Sequence, residues 1–376
     1  MLLNWVETSK TALAHNTRVF RSIVGPEKIL APAVKGNAYG HGLLECAQVF
    51  LENGADFFCV NALYEAQKLR QAGVQIPILL IGYVPLDELA LAADLDCHLT
   101  VYNEQTIEAL GQIKKPCQIH LKIETGNHRQ GITLEDLPKR IEQIKKYSHL
   151  KLVGASTHFA DLEDRLDHAY ALKQLSLFEQ GLQIIKEAGI ELLYKHCANS
   201  AAALILPEAH FNFARVGVSM YGLWPSEKTK VAAERLGLNI KLQPVLAWKT
   251  RVAQVKSVKK GDFIGYGCTY QMPHDGRLAI LPTGYYDGYV RLLGNKSAVL
   301  IKGQRAPVVG RIFMNMTAVD ITKILGVELE EEVVLLGRQG KGEISAEELA
   351  EWSETINYEV TTRINERIPR IIITND

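Results

Sequence analysis

The chain has 376 residues, with 42 Lys and Arg against 42 Asp and Glu, so its formal net charge is zero. This balance excludes the broadly basic surface that is typical of a general nucleic-acid-binding protein. Hydrophobic residues make up 47% and charged residues 22%, a composition typical of a folded protein with a large core.

The sequence also predicts a chain that is neither exported nor embedded in a membrane. No apolar run approaches the roughly 20 residues needed to span a bilayer. Glu7 falls where a signal peptide would have its apolar segment, so we expect a cytoplasmic protein. The six cysteines form no C-x-x-C pair and the eleven histidines are scattered, so no metal site is predicted.

Strand-like and helical segments alternate along the first part of the chain. The candidate strands are Ile29–Val34, Asp56–Val60, Pro77–Ile81, Cys97–Val101, Cys117–Ile123, Lys151–Ser156, Glu191–Cys197 and Phe211–Arg215. The alternation predicts an α/β fold with a parallel sheet. Eight strands favour an N-terminal (β/α)8 TIM-like barrel over residues 1–235, with an open doubly wound sheet as the alternative.

The pattern changes in residues 236–376, where short β-branched runs are separated by glycines. Examples are Leu278–Leu281, Ala298–Lys302, Ala306–Val309 and Val333–Leu336. These runs predict a C-terminal, mostly-β domain. Ser345 and Glu348 form a capping-box pattern, so we expect one helix at about residues 345–352.

The most informative segment is AVKGNAYGHG at residues 33–42, directly after the first candidate strand. Burying the unpaired ammonium of Lys35 at the end of an apolar strand would be unfavourable. Sites that tolerate such a lysine often lower its pKa and use the amine as a nucleophile. The alternative is a lysine whose side chain extends along the glycine-rich loop.

Polar residues also follow four later candidate strands. They are Arg129, His158, Asn199 with Ser200, and Arg215 with Gly217 and Val218. In a barrel they would share the C-terminal rim, where barrels carry their chemistry and commonly bind phosphate. Structural roles are the alternative for each of them. Asn199 and Ser200 could begin a helix, Arg215 could form an ion pair, and a histidine at such a position could be hydrogen-bonded in the core.

Eight motifs in order are similar to those of one family. They are AVKGNAYGHG at 33–42, THFAD at 157–161, ANSAA at 198–202, RVGVSMYGL at 215–223, GYGCTY at 265–270, GYYDGY at 284–289, VGRIFMNM at 309–316 and YEV at 358–360. The chain thereby resembles the alanine racemases, bacterial enzymes that depend on pyridoxal 5′-phosphate (PLP). The resemblance implies a barrel followed by a β domain, a homodimer with shared active sites, and D-alanine supply for peptidoglycan.

The resemblance also implies residue roles. Lys35 matches the lysine that binds PLP covalently. Tyr266 matches the tyrosine that reaches the active site of the other subunit. The two residues would act as bases on opposite faces of the substrate. Further PLP-binding matches are Tyr39, His158, Asn199, Ser200, Arg215 (to the pyridine nitrogen), Gly217, Val218 and Tyr358. Arg129 and Met314 match groups that hold the substrate carboxylate, and Lys122 matches a lysine that is often carbamylated.

Two segments depart from the family pattern. Family members usually have Asp-Thr-Gly-Met where this chain has Glu124-Thr-Gly-Asn127, and Met-Asp where it has Met314-Asn315. The changed residues leave open a preference for serine or a broader range of amino acids. A PLP-dependent decarboxylase of basic amino acids, with a related fold, and a PLP-carrier protein are the alternatives from other classes. The match around Lys35 and the GYGCTY segment disfavour the decarboxylase. The β domain that carries Tyr266 disfavours the carrier, because carriers resemble the barrel alone.

Overall fold

The computed structural model of the chain describes residues 1–374. Its strands are β1 (Asn4–Ser9), β2 (Ile29–Pro32), β3 (Phe58–Val60), β4 (Ile78–Leu80), β5 (Cys97–Val101), β6 (Cys117–Lys122), β7 (Leu150–Ser156), β8 (Tyr194–His196), β9 (Phe213–Val216), β10 (Leu246–Arg251), β11 (Gln254–Val258), β12 (Gly276–Leu281), β13 (Ala298–Ile301), β14 (Gln304–Pro307), β15 (Thr317–Asp320), β16 (Glu332–Gln339), β17 (Gly342–Ile344) and β18 (Arg370–Ile373). Its helices are Lys10–Val24, Leu43–Glu52, Leu63–Gln71, Leu89–Asp94, Glu104–Ile113, Leu137–Lys145, Ala169–Glu187, Ser200–Ile205, Glu227–Arg235, Ala346–Trp352 and Asn357–Thr362, with a turn at Lys35–Tyr39.

The chain forms two compact units. The barrel unit comprises Ala12–Ala38 and Cys46–Gln243, and the β unit comprises Met1–Thr11, Tyr39–Glu45 and the chain from Pro244 onward. The sequence suggested one boundary between residues 235 and 236. Two short segments before that boundary, Met1–Thr11 and Tyr39–Glu45, nevertheless belong to the β unit. The first joins the β unit because β1 pairs with β10 and β18.

The barrel unit is built on eight parallel strands among the described residues. β3 to β8 form one six-stranded sheet in chain order, and β2 pairs with β9. Backbone hydrogen bonds join the two sheets at both sides, from Val34 N to Cys59 O at 2.9 Å and from Arg215 N to Ala198 O at 3.0 Å. The predicted barrel fold is therefore confirmed, and each of the eight strands overlaps its predicted segment.

The longest helix of the barrel unit, Ala169–Glu187, buries Leu175, Phe178 and Ile185, and Gly189 follows it with a φ of 79°. This left-handed conformation favours glycine, which commonly follows the last residue of a helix. The apolar residues of the buried face recur at steps of three or four and so place one stripe against the strands.

The β unit contains two sheets in its described residues. One runs in the order β14-β13-β16-β10-β1-β18, with β17 beside β16, and the other runs β11-β12-β15. The single predicted helix of the capping-box segment is Ala346–Trp352, and the Ser345 side chain accepts a hydrogen bond from Glu348 N at 3.1 Å. The mostly-β character predicted for this part of the chain is confirmed. Among residues 1–374, no helix combines the length and apolar character needed to cross a membrane.

Candidate active site

Lys35 lies just after β2, where the chain makes an unusual turn. Gly36, Asn37 and Ala38 all have left-handed backbone angles, with φ of 62°, 54° and 54°. Left-handed conformations are unfavourable for residues other than glycine by about 1–2 kcal/mol each, although Asn tolerates them better. The surrounding structure must therefore hold this turn in place, as is common where backbone strain accompanies function.

The buried carboxylate of Glu65 is one group that holds the turn. Its Oε1 accepts a hydrogen bond from Gly36 N at 2.6 Å, and its Oε2 accepts from Asn61 N at 2.8 Å and Ala62 N at 3.1 Å. Only 2% of Glu65 is exposed, so these bonds are shielded from water. The carboxylate thus connects the turn after β2 to the loop after β3 and fixes the backbone beside Lys35.

The amine of Lys35 lies in a positively charged surrounding. The side chain is half-buried, and within residues 1–374 it makes no hydrogen bond or ion pair. Burial is the largest effect that lowers the pKa of Lys35, and the charge of Arg129 is the next. Cys59 and Glu65 act in the opposite direction, and Arg215 makes a smaller lowering contribution. A lowered pKa raises the fraction of neutral, nucleophilic amine near neutral pH.

Arg215 lies at the end of β9 with its guanidinium held on two sides. Nη1 donates to the imidazole Nδ1 of His196 and to the His196 carbonyl at 2.8 Å, and Nη2 donates to the Thr157 carbonyl at 2.8 Å. The Nε–H group has no acceptor among the described residues. Because arginine is a donor only, this remaining N–H suits an acceptor atom supplied by a bound molecule.

Lys122, Arg129 and His158 lie close enough to Lys35 and Arg215 to interact electrostatically. Burial first, and then Arg215 and Arg129, hold the pKa of Lys122 well below its usual value. Burial first, and then Lys122, Arg215 and Arg129, hold the pKa of His158 well below its usual value. The basic residues near the strand ends therefore form one cluster in the barrel unit, and its two arginines make it suited to anions.

The loops after β8 and β9 meet through Ser200. Its Oγ accepts hydrogen bonds from Gly217 N at 2.9 Å and Ser219 N at 3.4 Å. Ser219 Oγ is fully buried and has no partner within residues 1–374. Asn199 begins the following helix, since its Oδ1 accepts from Ala202 N at 2.9 Å, as the structural alternative predicted. Because Ser200 engages the Gly217 and Ser219 N–H groups, the hydroxyls of Ser200 and Ser219, with Val218 beside them, are the groups at this junction that suit an anion such as phosphate.

The remaining predicted site residues belong to the β unit. The rings of Tyr39 and Tyr358 approach each other with centroids 6.2 Å apart. Tyr266 packs its ring against Phe313 at 5.2 Å but is 68% exposed. Met314, on the same loop as Phe313, is 55% exposed, and its carbonyl accepts a hydrogen bond from Tyr286 N.

Sequence reasoning missed Glu65 and His196. Glu65 accepts a hydrogen bond from Gly36 N, next to Lys35, and His196 contacts the guanidinium of Arg215. Neither residue belongs to a motif, and nothing in the local sequence indicates a partner 29 or 19 positions away. The imidazole that contacts Arg215 is that of His196, and the role of His158 at the cofactor stays a prediction. Only the alignment of neighbouring strands in the barrel brings these side chains together.

The fold and the site define a two-domain barrel enzyme with a cluster of basic residues at strand ends. Comparisons with known proteins give the family. Residues 9–225 match the alanine racemase N-terminal domain, and residues 245–372 match the alanine racemase C-terminal domain. The chain belongs to the alanine racemase family and is an isomerase.

Individual relatives agree along the whole chain. The alanine racemase of Leptospira interrogans is 38% identical over 373 residues, which cover 98% of this chain and 96% of that relative. The alanine racemase of Desulforamulus reducens is 39% identical over 374 residues, covering 98% of each. The crystal structure of alanine racemase from Bacillus anthracis with bound L-Ala-P has a TM-score of 0.93 at 36% identity, covering 100% of this chain and 96% of that one.

Proposed function

We propose that this chain is a PLP-dependent racemase that interconverts L-alanine and D-alanine. The observation that carries the proposal is the amine of Lys35, half-buried at the rim of the barrel with a lowered pKa and two arginines nearby. The relative from Bacillus anthracis, whose structure holds L-Ala-P, supports an alanine-like substrate. The proposal includes a cytoplasmic enzyme that supplies D-alanine for peptidoglycan.

The polar groups of the barrel unit fit PLP. Lys35 would bind the aldehyde, and the Nε–H of Arg215 would donate to the pyridine nitrogen, with His158 nearby. The buried hydroxyl of Ser219, which lacks a partner among the described residues, supports a phosphate site there. Further groups proposed for the cofactor are Tyr39, Asn199, Ser200, Gly217, Val218 and Tyr358. When bound, PLP withdraws electrons from the substrate and makes its α-proton removable.

Racemisation needs a proton removed from one face of the α-carbon and returned to the other, so two opposed bases are the simplest design. Lys35 serves one face, and its lowered pKa brings the neutral amine nearer to neutral pH. Tyr266 serves the other face. In the assembled site, the charges of Arg129 and Arg215 would stabilise negative charge that develops during proton transfer.

Tyr266 acts in the site of a second subunit, and the protein works as a homodimer. Support comes from an exposed apolar patch on the β unit, where backbone hydrogen bonds join the loop at 284–286 to Phe313 and Met314. The exposed members are Phe263, Tyr266, Tyr285, Tyr286, Met314 and Met316. Patches of this kind are typical of protein interfaces.

Arg129 binds the substrate carboxylate, together with the backbone at Met314. Lys122 supports Arg129 after reaction of its neutral amine with carbon dioxide, which forms an N–C bond and releases one proton. Burial, Arg215 and Arg129 lower the pKa of Lys122 and so favour the neutral amine. The product is an anion that can orient Arg129. Intact mass spectrometry at neutral pH tests this step, and a lysine of unmodified mass would contradict it.

The decisive experiment is incubation of the protein with L-alanine and PLP, followed by chiral chromatography. We expect D-alanine to accumulate until the two forms are equal, and Tyr266→Phe to suppress conversion in at least one direction. Mixing Lys35→Ala and Tyr266→Phe proteins should restore activity in exchanged dimers, because each mixed dimer contains one complete site. Absence of restoration after proven exchange would contradict a shared site.

A second candidate is a racemase that also accepts serine. The observation that favours it is the amide of Asn127, whose Nδ2 lies 3.4 Å from the His158 carbonyl oxygen, beside the cationic cluster. An amide at this position could hydrogen-bond a hydroxyl on the substrate. Parallel assays of racemisation with L-serine and L-alanine test this candidate. Asn127→Met should lower the turnover of serine selectively.

A further inference from the structure

Three buried histidines form a continuous chain that ends on Arg215. His98 Nδ1 lies 2.9 Å from His120 Nε2, and His120 Nδ1 lies 2.7 Å from His196 Nε2. The Nδ1 of His196 in turn contacts Arg215 Nη1. The histidines come from β5, β6 and β8, and each is at most 3% exposed.

The charge of Arg215 determines the position of every proton in this chain. Arginine only donates, so the Nδ1 of His196 must accept and its Nε2 must carry the proton. That proton is donated to His120 Nδ1, which must therefore accept, and His120 Nε2–H donates to His98 Nδ1. All three imidazoles are thus neutral, with the proton on Nε2.

Burial agrees with three neutral imidazoles. It lowers the pKa of His98 to about 4, and it holds the pKa values of His120 and His196 well below their usual range. Arg215 contributes to the shifts of the last two, because a second cation beside the guanidinium is unfavourable. The proton order derived from hydrogen bonding is consequently the one that the charges also favour.

The packing around His120 is shaped to permit the chain. The ring of Tyr194 stacks on His120 with centroids 5.4 Å apart and planes at 9°. Between β6 and β8, β7 has a glycine at position 154, directly opposite His120 in the strand register. A Cβ on Gly154 would lie 2.2 Å from His120 Nδ1, so any other residue would displace the ring. Barrel interiors are more commonly filled by branched aliphatic side chains.

We propose that His120 and His98 are positioning residues that act through His196 on Arg215 and fix its guanidinium, so that the Nε–H would be available to donate to the cofactor's pyridine nitrogen. The inference rests on the proposed function for the identity of that acceptor. Linked hydrogen bonds polarise one another, so a distant imidazole affects the donor strength of the guanidinium as well as its orientation. Loss of the chain would change how PLP is held at its nitrogen while leaving Lys35 intact.

Nitrogen-15 NMR of histidine-labelled protein tests the proton order directly. We expect neutral imidazoles with the proton on Nε2 at His98, His120 and His196, and N–H protons of His120 and His196 shifted downfield by their N–H···N bonds. Assignments come from the three single His→Phe variants. A proton on Nδ1 of His120, or a charged imidazole at His120 or His196, would overturn the proposal. The result does not depend on whether the protein racemises alanine.

Two variants test the effect on the cofactor. His120→Phe removes both ring nitrogens and retains the stacked ring. Gly154→Ala displaces the His120 ring while all histidines of the sequence are kept. In PLP-loaded protein we expect each to shift the cofactor's absorption band and to change the ratio of racemisation to transamination by about two- to tenfold, the range that one lost hydrogen bond provides. His210→Phe is the control, since His210 is also 3% exposed and bonds only to the Ala203 carbonyl at 2.9 Å.

The outcomes separate the two proposals. If the unsubstituted protein fails to bind PLP or to racemise, the proposed function is wrong, whatever NMR shows for the histidines. If it racemises and the folded His120→Phe and Gly154→Ala proteins keep its spectrum and its reaction ratio, the positioning role is wrong. Should both variants fail to fold, His98→Phe, at the far end of the chain, provides the same two measurements. Its expected change has the same direction and a smaller size.

Discussion

Replacing Glu65 by glutamine tests whether the buried carboxylate holds the turn beside Lys35. The carboxylate accepts three backbone hydrogen bonds, one on Oε1 and two on Oε2. A glutamine keeps one oxygen, and its NH2 group must face at least one backbone N–H. The less unfavourable orientation keeps the bonds to Asn61 and Ala62 and loses the one to Gly36.

The expected loss follows from that single bond. A hydrogen bond to a charged group contributes about 1.5–3 kcal/mol, and its loss here leaves a buried donor without an acceptor. For a unit of this size, each kcal/mol lowers the melting temperature by about 2–4 °C. We therefore expect Glu65→Gln to lower the melting temperature by about 3–12 °C and to slow the reaction of Lys35 with PLP.

Thermal unfolding followed by circular dichroism measures the first effect, and absorbance during PLP reconstitution measures the second. Glu187→Gln is the matched control, because Glu187 is exposed and, within residues 1–374, accepts a hydrogen bond only from the Gln183 side chain. A melting temperature within 1 °C of the unsubstituted protein, or an equal fall for Glu187→Gln, would refute the reasoning.

Three further predictions concern charge and backbone. Arg215→Glu should increase transamination relative to racemisation, because a carboxyl group can leave the pyridine nitrogen protonated; an unchanged ratio measured with L-alanine would contradict this role. Acylation of Lys35 in PLP-free protein should rise with pH with an apparent pKa below 10.5, because burial and the arginines disfavour the ammonium. Peptide mapping at a series of pH values measures the acylated fraction, and a midpoint at or above 10.5 would contradict the prediction. Gly40→Ala should destabilise the protein by far more than Gly73→Ala. The two glycines have similar φ (87° and 84°), but a Cβ on Gly40 would lie 2.0 Å from the Thr361 carbonyl oxygen, whereas a Cβ on Gly73 would meet no atom within 4 Å. Equal melting temperatures of the two variants would refute this.

Much of the barrel could be predicted because its signals are local. The parallel strands are short, mostly apolar runs that alternate with helical segments, so alternation along the chain indicates the fold before any contact is known. The rim position of Arg129, His158 and Arg215 follows from the same rule. Their electrostatic effects on Lys35 and Lys122 agree with a shared location.

The rest depends on contacts between distant residues. That β1 belongs to the β unit cannot be read from its six residues, because only pairing with β10 and β18 decides it. The acceptor role of Glu65 depends on a turn whose left-handed angles no sequence rule specifies for Ala38. The histidines at 98 and 120 stand within apolar strands, where a single polar residue has no periodic signal and acquires a partner only when the sheet closes.

The pairing of β1 also bears on the order in which a growing chain can fold. Every strand of the barrel unit lies before residue 243, so that unit can assemble once this length has left the ribosome. β1 emerges first of all, yet its antiparallel neighbour ends at Arg251 and its parallel neighbour begins only at Arg370. We expect β1 to remain unpaired through most of synthesis, with the helix after it already docked, and the β unit to close last.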